Sequence, residues 1–172
     1  MLAKTTLILM IASIFSCSTQ PPLSTVSNVE ISKYAGKWYE IARLPNSFEK
    51  ELDCVSATYS LIPDSDKIKV LNQGRKSGTK QKSITGKAWV PDENESGRLK
   101  VSFFWPFAGD YYIIALDDDY KYALVGSPSR KFLWILSKTK IMDQNVYENY
   151  LSIAREKGFD TNDLILVNQD CE

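Results

Sequence analysis

The chain has 172 residues, of which 44% are hydrophobic and 12% aromatic, and its 21 basic residues are balanced by 21 acidic ones. This length corresponds to one domain, and the neutral balance, with no basic groove-reading helix, predicts no nucleic-acid partner. The chain contains three cysteines and no histidine, which excludes Ser-His and Cys-His catalysis, His-metal sites and a four-thiolate zinc site. We therefore expect neither a metal nor a cofactor.

The N-terminus has the pattern of an export signal. Residues 1–16 carry one charge followed by an apolar run that is too short to span a bilayer. The run ends in Ile14-Phe15-Ser16-Cys17, which resembles a bacterial lipobox, so we predict cleavage before Cys17 and lipidation of this cysteine. Ser18 follows, which by resemblance to enterobacterial lipoproteins implies the outer membrane, with the protein facing the periplasm. The alternative is ordinary secretory cleavage near Ser18.

The next segment, residues 17–29, is rich in Ser, Thr and Pro and is predicted to be a tether. A segment docked on the domain is the alternative. If Cys17 is lipidated, Cys54 and Cys171 remain, and in an oxidising compartment they most simply form a disulfide. Two separate buried thiols are the other possibility.

A run of β-strands begins at Gly36. Short stretches of β-branched and aromatic residues recur there between Gly, Pro, Asp and Asn, a pattern typical of an all-β domain with antiparallel neighbours. A helix over 143–157, which Asp143 can cap and Gly158 can end, and a short strand over 164–167 follow. The eight predicted strands lie at 36–45, 54–62, 67–76, 80–90, 97–104, 110–117, 120–127 and 131–137.

Alternation along these strands predicts an inner face that mixes large, small and a few polar side chains. Its members are Trp38, Glu40 and Ala42; Ala57, Tyr59 and Leu61; Val70, Asn72 and Gly74; Gly86 and Ala88; Val101 and Phe103; Tyr112, Ile114 and Leu116; Phe132, Trp134 and Leu136. A closed barrel of eight strands has room for one small apolar ligand. Composition alone leaves a sandwich and a barrel both open.

The sequence of residues 36–43, GKWYEIAR, carries the G-x-W signature of the lipocalins and resembles their bacterial members. The resemblance spans residues 30–171 and implies an eight-stranded antiparallel up-and-down barrel with one C-terminal helix and a short terminal strand, in a domain over residues 30–172. The other segments that resemble the family lie at 57–61, 69–73, 99–104, 115–125 and 133–138.

The resemblance also assigns roles to individual residues. Gly36 and Trp38 are expected to close one end of the barrel, with Lys138 over the indole where the family more often has arginine. A cation above an indole contributes about 0.5 to 2 kcal/mol. The expected ligand contacts are Tyr59, Asn72, Phe103, Tyr112 and Trp134.

The other end of the barrel is predicted to be an open rim. Phe104-Trp105-Pro106-Phe107 places three aromatic residues in one rim connection, a cluster that marks a surface for lipid, ligand or partner. The alternatives are mutual packing and a homodimer contact. Basic residues at this end suit an anionic head group, or are simply solvated: Lys50, Arg75, Lys76, Lys80, Lys82, Arg130 and Lys131.

The expected function is that of a membrane-anchored protein that binds fatty acids, lysophospholipids or similar amphiphiles for storage, transport or membrane maintenance. No catalytic residue is needed. Three alternatives remain open at this stage. They are a carboxylate-dependent isomerase or hydrolase that uses Glu40, a pigment carrier, and a structural lipoprotein with a filled barrel.

Overall fold

The computed structural model of the protein describes residues 20–76 and 80–171. The predicted signal, Cys17 and the cleavage position near Ser18 lie outside the described residues. The strands are β1 (Gly36–Arg43), β2 (Leu52–Leu61), β3 (Ile68–Lys76), β4 (Lys82–Trp89), β5 (Arg98–Phe104), β6 (Phe107–Leu116), β7 (Tyr122–Gly126), β8 (Leu133–Ser137) and β9 (Ile165–Leu166). The helices are α1 (Ile31–Tyr34) and α2 (Gln144–Glu156), with one 3-10 turn at Glu93–Glu95.

The first eight strands form a closed antiparallel barrel. Each strand pairs with its neighbour in sequence, and β1 pairs with both β2 and β8, which closes the sheet. Strand β9 pairs with β1 outside this ring. The barrel, the C-terminal helix and the short last strand confirm the predicted fold and remove the sandwich alternative. In the described part of the chain, neither helix is long and apolar enough to cross a bilayer.

Two apolar layers share the barrel wall. The inner layer fills one end of the barrel and includes Trp38, Tyr59, Val70, Leu99, Ile113, Val125 and Leu136. The outer layer lies between the wall and α2 and includes Leu124, Leu133, Ile135, Tyr150, Leu151 and Phe159. The Asp143 carboxylate accepts hydrogen bonds from the amides of Asn145 and Val146, so it caps α2 as predicted.

Two bulges shift the predicted alternation. In β1 the pairing slips between Glu40 and Ala42, so Ala42, which was predicted to face inward, lies in the outer layer. In β6 the pairing slips between Ile113 and Ala115. Because an extra residue reverses the phase of a strand, the prediction is correct for Leu116 and wrong for the positions before the bulge.

The N-terminal segment that the structure describes runs along the outside of the barrel. Leu23 is buried in the outer layer, the amide of Val26 donates to the carbonyl of Ile113 at 2.9 Å, and the amide of Val29 donates to Ser96 Oγ at 2.7 Å. From residue 20 onward the segment is therefore docked, and the expectation of a free tether is wrong there. The reason is apolar burial, which composition did not reveal.

The C-terminal segment is joined covalently to β2. Cys54 and Cys171 form a disulfide, with Cα atoms 6.2 Å apart and a sequence separation of 117. This agrees with the prediction from the cysteine count.

Candidate functional site

One end of the barrel, called the floor here, is closed by Trp38, which is fully buried. Its indole Nε1 donates to the carbonyl of Tyr34 at 2.7 Å. The Lys138 ammonium lies 4.1 Å from the centre of the Trp38 ring and donates to the carbonyls of Tyr34 and Ala35 at 3.2 and 2.7 Å. Gly36 has a φ of +98°, and a Cβ added there would lie 3.4 Å from the Lys138 ammonium. The three residues predicted to close the barrel therefore lie together.

A chain of tyrosine hydroxyl groups lies above Trp38. The Tyr59 hydroxyl donates to that of Tyr111 at 2.8 Å, and the hydroxyl groups of Tyr111 and Tyr34 are 2.6 Å apart. Burial raises the pKa of all three phenols, so they remain protonated. Tyr59 was predicted to contact ligand and lies 5% exposed in this network.

The second tyrosine of the network corrects the sequence prediction. Tyr112, which was predicted to line the interior, packs with the outer layer, and the Arg98 guanidinium lies 5.4 Å from its ring centre. Tyr111 faces the interior in its place, opposite the buried Leu99. The bulge in β6 lies between these two tyrosines and Leu116. Counting alternate residues back from Leu116 therefore assigns the inward position to Tyr112, whereas Tyr111 occupies it.

A buried charged layer lies between the floor and the rim. Arg43 donates to the Glu40 carboxylate at 2.6 Å and to the carbonyls of Glu49 and Leu52 at 2.8 and 3.0 Å. The Glu49 carboxylate accepts from the Trp134 indole at 3.0 Å. Burial and, less strongly, the charge of Glu49 raise the pKa of Glu40 to about 8, against the opposing effect of Arg43. Arg43 thus bonds the side chain of Glu40 and the backbone of Glu49, and the raised pKa leaves Glu40 protonated at neutral pH.

The upper interior, between this layer and the rim, is lined by Val101, Phe103 and Trp134, which pack on the inner layer and keep partial solvent access. A Cβ at Gly86 would lie 2.6 Å from the Phe103 ring, so glycine is what lets this ring lie against the wall. Asn72 faces the same space, and within the described chain its buried Oδ1 has no hydrogen-bond partner. These positions bring together three of the predicted contacts, Asn72, Phe103 and Trp134.

The rim carries exposed aromatic side chains. Phe104, Trp105 and Phe107 are 70%, 88% and 77% exposed. On the opposite side of the rim, Phe48 contacts Phe132 and Trp134, with ring centres 5.7 and 6.4 Å apart.

The two arginines among the predicted rim cations have other neighbours. Arg130 donates to the carbonyls of Pro128, Pro21 and Lys157 at 2.6, 2.6 and 3.2 Å, so it fixes the N-terminal segment. Arg75 lies opposite Asp53 and lines a depression of about 150 Å³ on the outer wall beside the disulfide. Neither guanidinium is placed to meet a head group inside the barrel.

Comparisons with known proteins agree with this architecture. The family model described as a lipocalin-like domain matches residues 29–169. The outer membrane lipoprotein Blc of Citrobacter freundii is 42% identical over 160 residues, which cover 91% of this chain and 90% of that protein. Apolipoprotein D of Macaca fascicularis is 31% identical over 88% of this chain and 82% of its own. The structure of insecticyanin from the tobacco hornworm Manduca sexta superposes with a TM-score of 0.71 at 26% identity, covering 87% of this chain and 86% of that one.

Proposed function

Because this chain belongs to the lipocalin family, we propose that it binds long-chain amphiphiles, such as fatty acids or lysophospholipids, in the upper interior of its barrel. The observation that carries the proposal is the contrast between the two halves of that interior. In the floor, the tyrosine network pairs the hydroxyl groups of Tyr34, Tyr59 and Tyr111. The upper half instead presents apolar side chains with partial solvent access, and the buried Oδ1 of Asn72 has no hydrogen-bond partner among the described residues.

The chemistry of the upper interior favours an acyl chain with a hydrogen-bond donor. Burial of apolar surface contributes about 25 cal/mol for each Å² removed from water, so an acyl chain in this space binds without any fixed charge. A buried acceptor without a partner costs about 1 to 3 kcal/mol, which a hydroxyl or protonated carboxyl group of the ligand would recover at Asn72.

We assign the protein a binding role and no catalytic step. Glu40, the candidate general base, is 3% exposed and bonded to Arg43, so its carboxyl is engaged in the charged layer. A turnover assay on fatty-acid esters with a Glu40→Gln variant tests this assignment, and activity that depends on Glu40 would overturn it.

The location is the outer membrane, since relatives named outer membrane lipoprotein Blc are 42% identical over 91% of the chain. The lipid anchor on Cys17 and the periplasmic orientation are part of the proposal. Mass spectrometry of the mature N-terminus tests them, and an unmodified end at Ser18 would exclude the anchor.

Two neighbouring phenylalanines allow a matched test of the binding site. Phe103 faces the interior, whereas Phe104 is 70% exposed. We expect Phe103→Ala to weaken fatty-acid binding about 5- to 30-fold, which corresponds to about 1 to 2 kcal/mol of lost apolar contact. Phe104→Ala should leave the affinity unchanged. Titration of the delipidated protein by tryptophan fluorescence measures both, and equal effects would contradict an interior site.

A further inference from the structure

The connection between β5 and β6 holds an aromatic tip formed by Phe104, Trp105 and Phe107. Their side chains are 70%, 88% and 77% exposed, while Ser102 Oγ donates to the carbonyl of Phe107 at 2.6 Å and supports the turn. Soluble monomers rarely expose large side chains in such a cluster. Tryptophan and phenylalanine at this density are typical of the interface between lipid head groups and acyl chains.

The described chain begins at the same end of the barrel. Arg130, in the connection between β7 and β8, holds the carbonyl of Pro21 at 2.6 Å, and Lys157 donates to Ser24 Oγ at 2.6 Å. Cys17 precedes Gln20 by three residues, and an extended chain spans at most about 3.6 Å per residue. A lipid on Cys17 would therefore hold Gln20, which lies beside the connection between β7 and β8, within about 11 Å of the bilayer surface.

The charges of the two ends differ in sign. The rim and the strand ends beside it carry three acidic residues, Glu49, Glu51 and Asp53, of which Glu51 pairs with Lys76. They carry more basic residues: Lys50, Arg75, Lys76, Lys80, Lys82, Arg130 and Lys131. The connections at the floor carry two basic residues, Lys67 and Lys121, of which Lys121 pairs with Asp119. They carry more acidic residues: Asp64, Asp66, Asp92, Glu93, Glu95, Asp117, Asp118 and Asp119. An anionic bilayer attracts the first end and repels the second.

From these three observations we infer that the aromatic tip inserts into the head-group region of an anionic phospholipid bilayer, with the rim of the barrel facing the membrane and the floor facing away. The inference rests on the proposed lipid anchor and lipid-binding function. It adds the orientation, in which a ligand passes between the bilayer and the upper interior without crossing bulk water.

Quenching by brominated phospholipids tests the insertion. The complete lipid-anchored protein is reconstituted in phosphatidylcholine vesicles with and without phosphatidylglycerol, and the lipids carry bromine near the head group. We expect Trp105→Ala to lose most of the quenchable tryptophan signal. Trp89→Phe, a change at the floor end of β4, should leave that signal unchanged. Phosphatidylglycerol should increase the quenching at low salt.

The outcomes separate this inference from the proposed function. Fatty-acid affinity, measured without vesicles, should be the same for Trp105→Ala and the unaltered protein. Quenching that is unchanged by Trp105→Ala overturns the insertion while leaving ligand binding intact. A smaller oligomer for Trp105→Ala, with no change in quenching, would assign the tip to contact with a second copy instead. If the unaltered protein fails to bind fatty acid but its Trp105 is still quenched by the brominated lipids, the ligand site is refuted and the insertion stands.

Discussion

The charged layer inside the barrel leads to a pH-dependent stability. Glu40 is 3% exposed, and burial raises the pKa of its carboxyl from 4.5 to about 8. A glutamine at this position has the shape of the protonated acid and cannot ionise. Glu40→Gln therefore isolates the proton of this one group.

The direction in which the free energy of unfolding changes with pH follows from the protons that the folded and unfolded chains bind. Between pH 4.5 and 8 the unfolded chain loses the Glu40 proton while the folded protein keeps it, so the stabilisation present at low pH is lost as the pH rises. A tenfold difference in proton affinity corresponds to about 1.4 kcal/mol. Since the Arg43 guanidinium opposes this shift, we expect the free energy of unfolding to fall by about 1 to 3 kcal/mol relative to Glu40→Gln between pH 5 and pH 8.

Urea unfolding followed by tryptophan fluorescence at several pH values measures this difference. Glu51→Gln is the matched control, because Glu51 is exposed and its pKa is lowered by Lys76; its difference curve should not fall with pH. A flat curve for Glu40→Gln would refute the reasoning, since it would mean that Glu40 is ionised and fully paired with Arg43 in the folded protein.

Three other contacts lead to measurable changes in stability. Cys171→Ser should lower the free energy of unfolding by about 3 to 5 kcal/mol, because the bridge closes a long loop; a urea midpoint that is insensitive to reductant would contradict this. Lys138→Met should cost about 1 to 2 kcal/mol at the floor by the same assay, and an unchanged midpoint would remove the role of the cation. Asp143→Ala should cost about 1 kcal/mol and lower the melting temperature, whereas Asp143→Asn should retain most of the cap; equal losses would contradict capping.

The sequence predicted the fold because its signals are local and repeated. Each strand was found within a few residues of its observed bounds, and the segment from Gly36 to Arg43 carries the family signature. Cysteine counting likewise paired Cys54 with Cys171. The prediction of inward-facing residues from alternation was wrong where a strand contains a bulge, since the sequence of β6 does not distinguish Tyr111 from Tyr112.

The candidate site was predicted only in part, because its polar groups come from distant parts of the chain. Glu40 stood out as an inward acid, but its partner Glu49 belongs to the connection after β1 and meets Trp134 from β8. Arg43 faces the interior only because of the bulge in β1. The alternation of inward and outward residues along a strand predicts neither the contact between Glu49 and Trp134 nor the bulge in β1.

The charged layer also joins Glu40 to the connection after β1. Arg43 bonds to the Glu40 carboxylate and also to two carbonyls, that of Glu49 in the connection after β1 and that of Leu52 at the start of β2. The same connection carries Phe48, whose ring contacts Trp134 beside the upper interior. Because one guanidinium holds both the acid and the loop, loss of the Glu40 proton adds charge where the loop is fixed. The connection that carries Phe48 is therefore held by the same guanidinium that bonds Glu40, the group that makes the stability depend on pH.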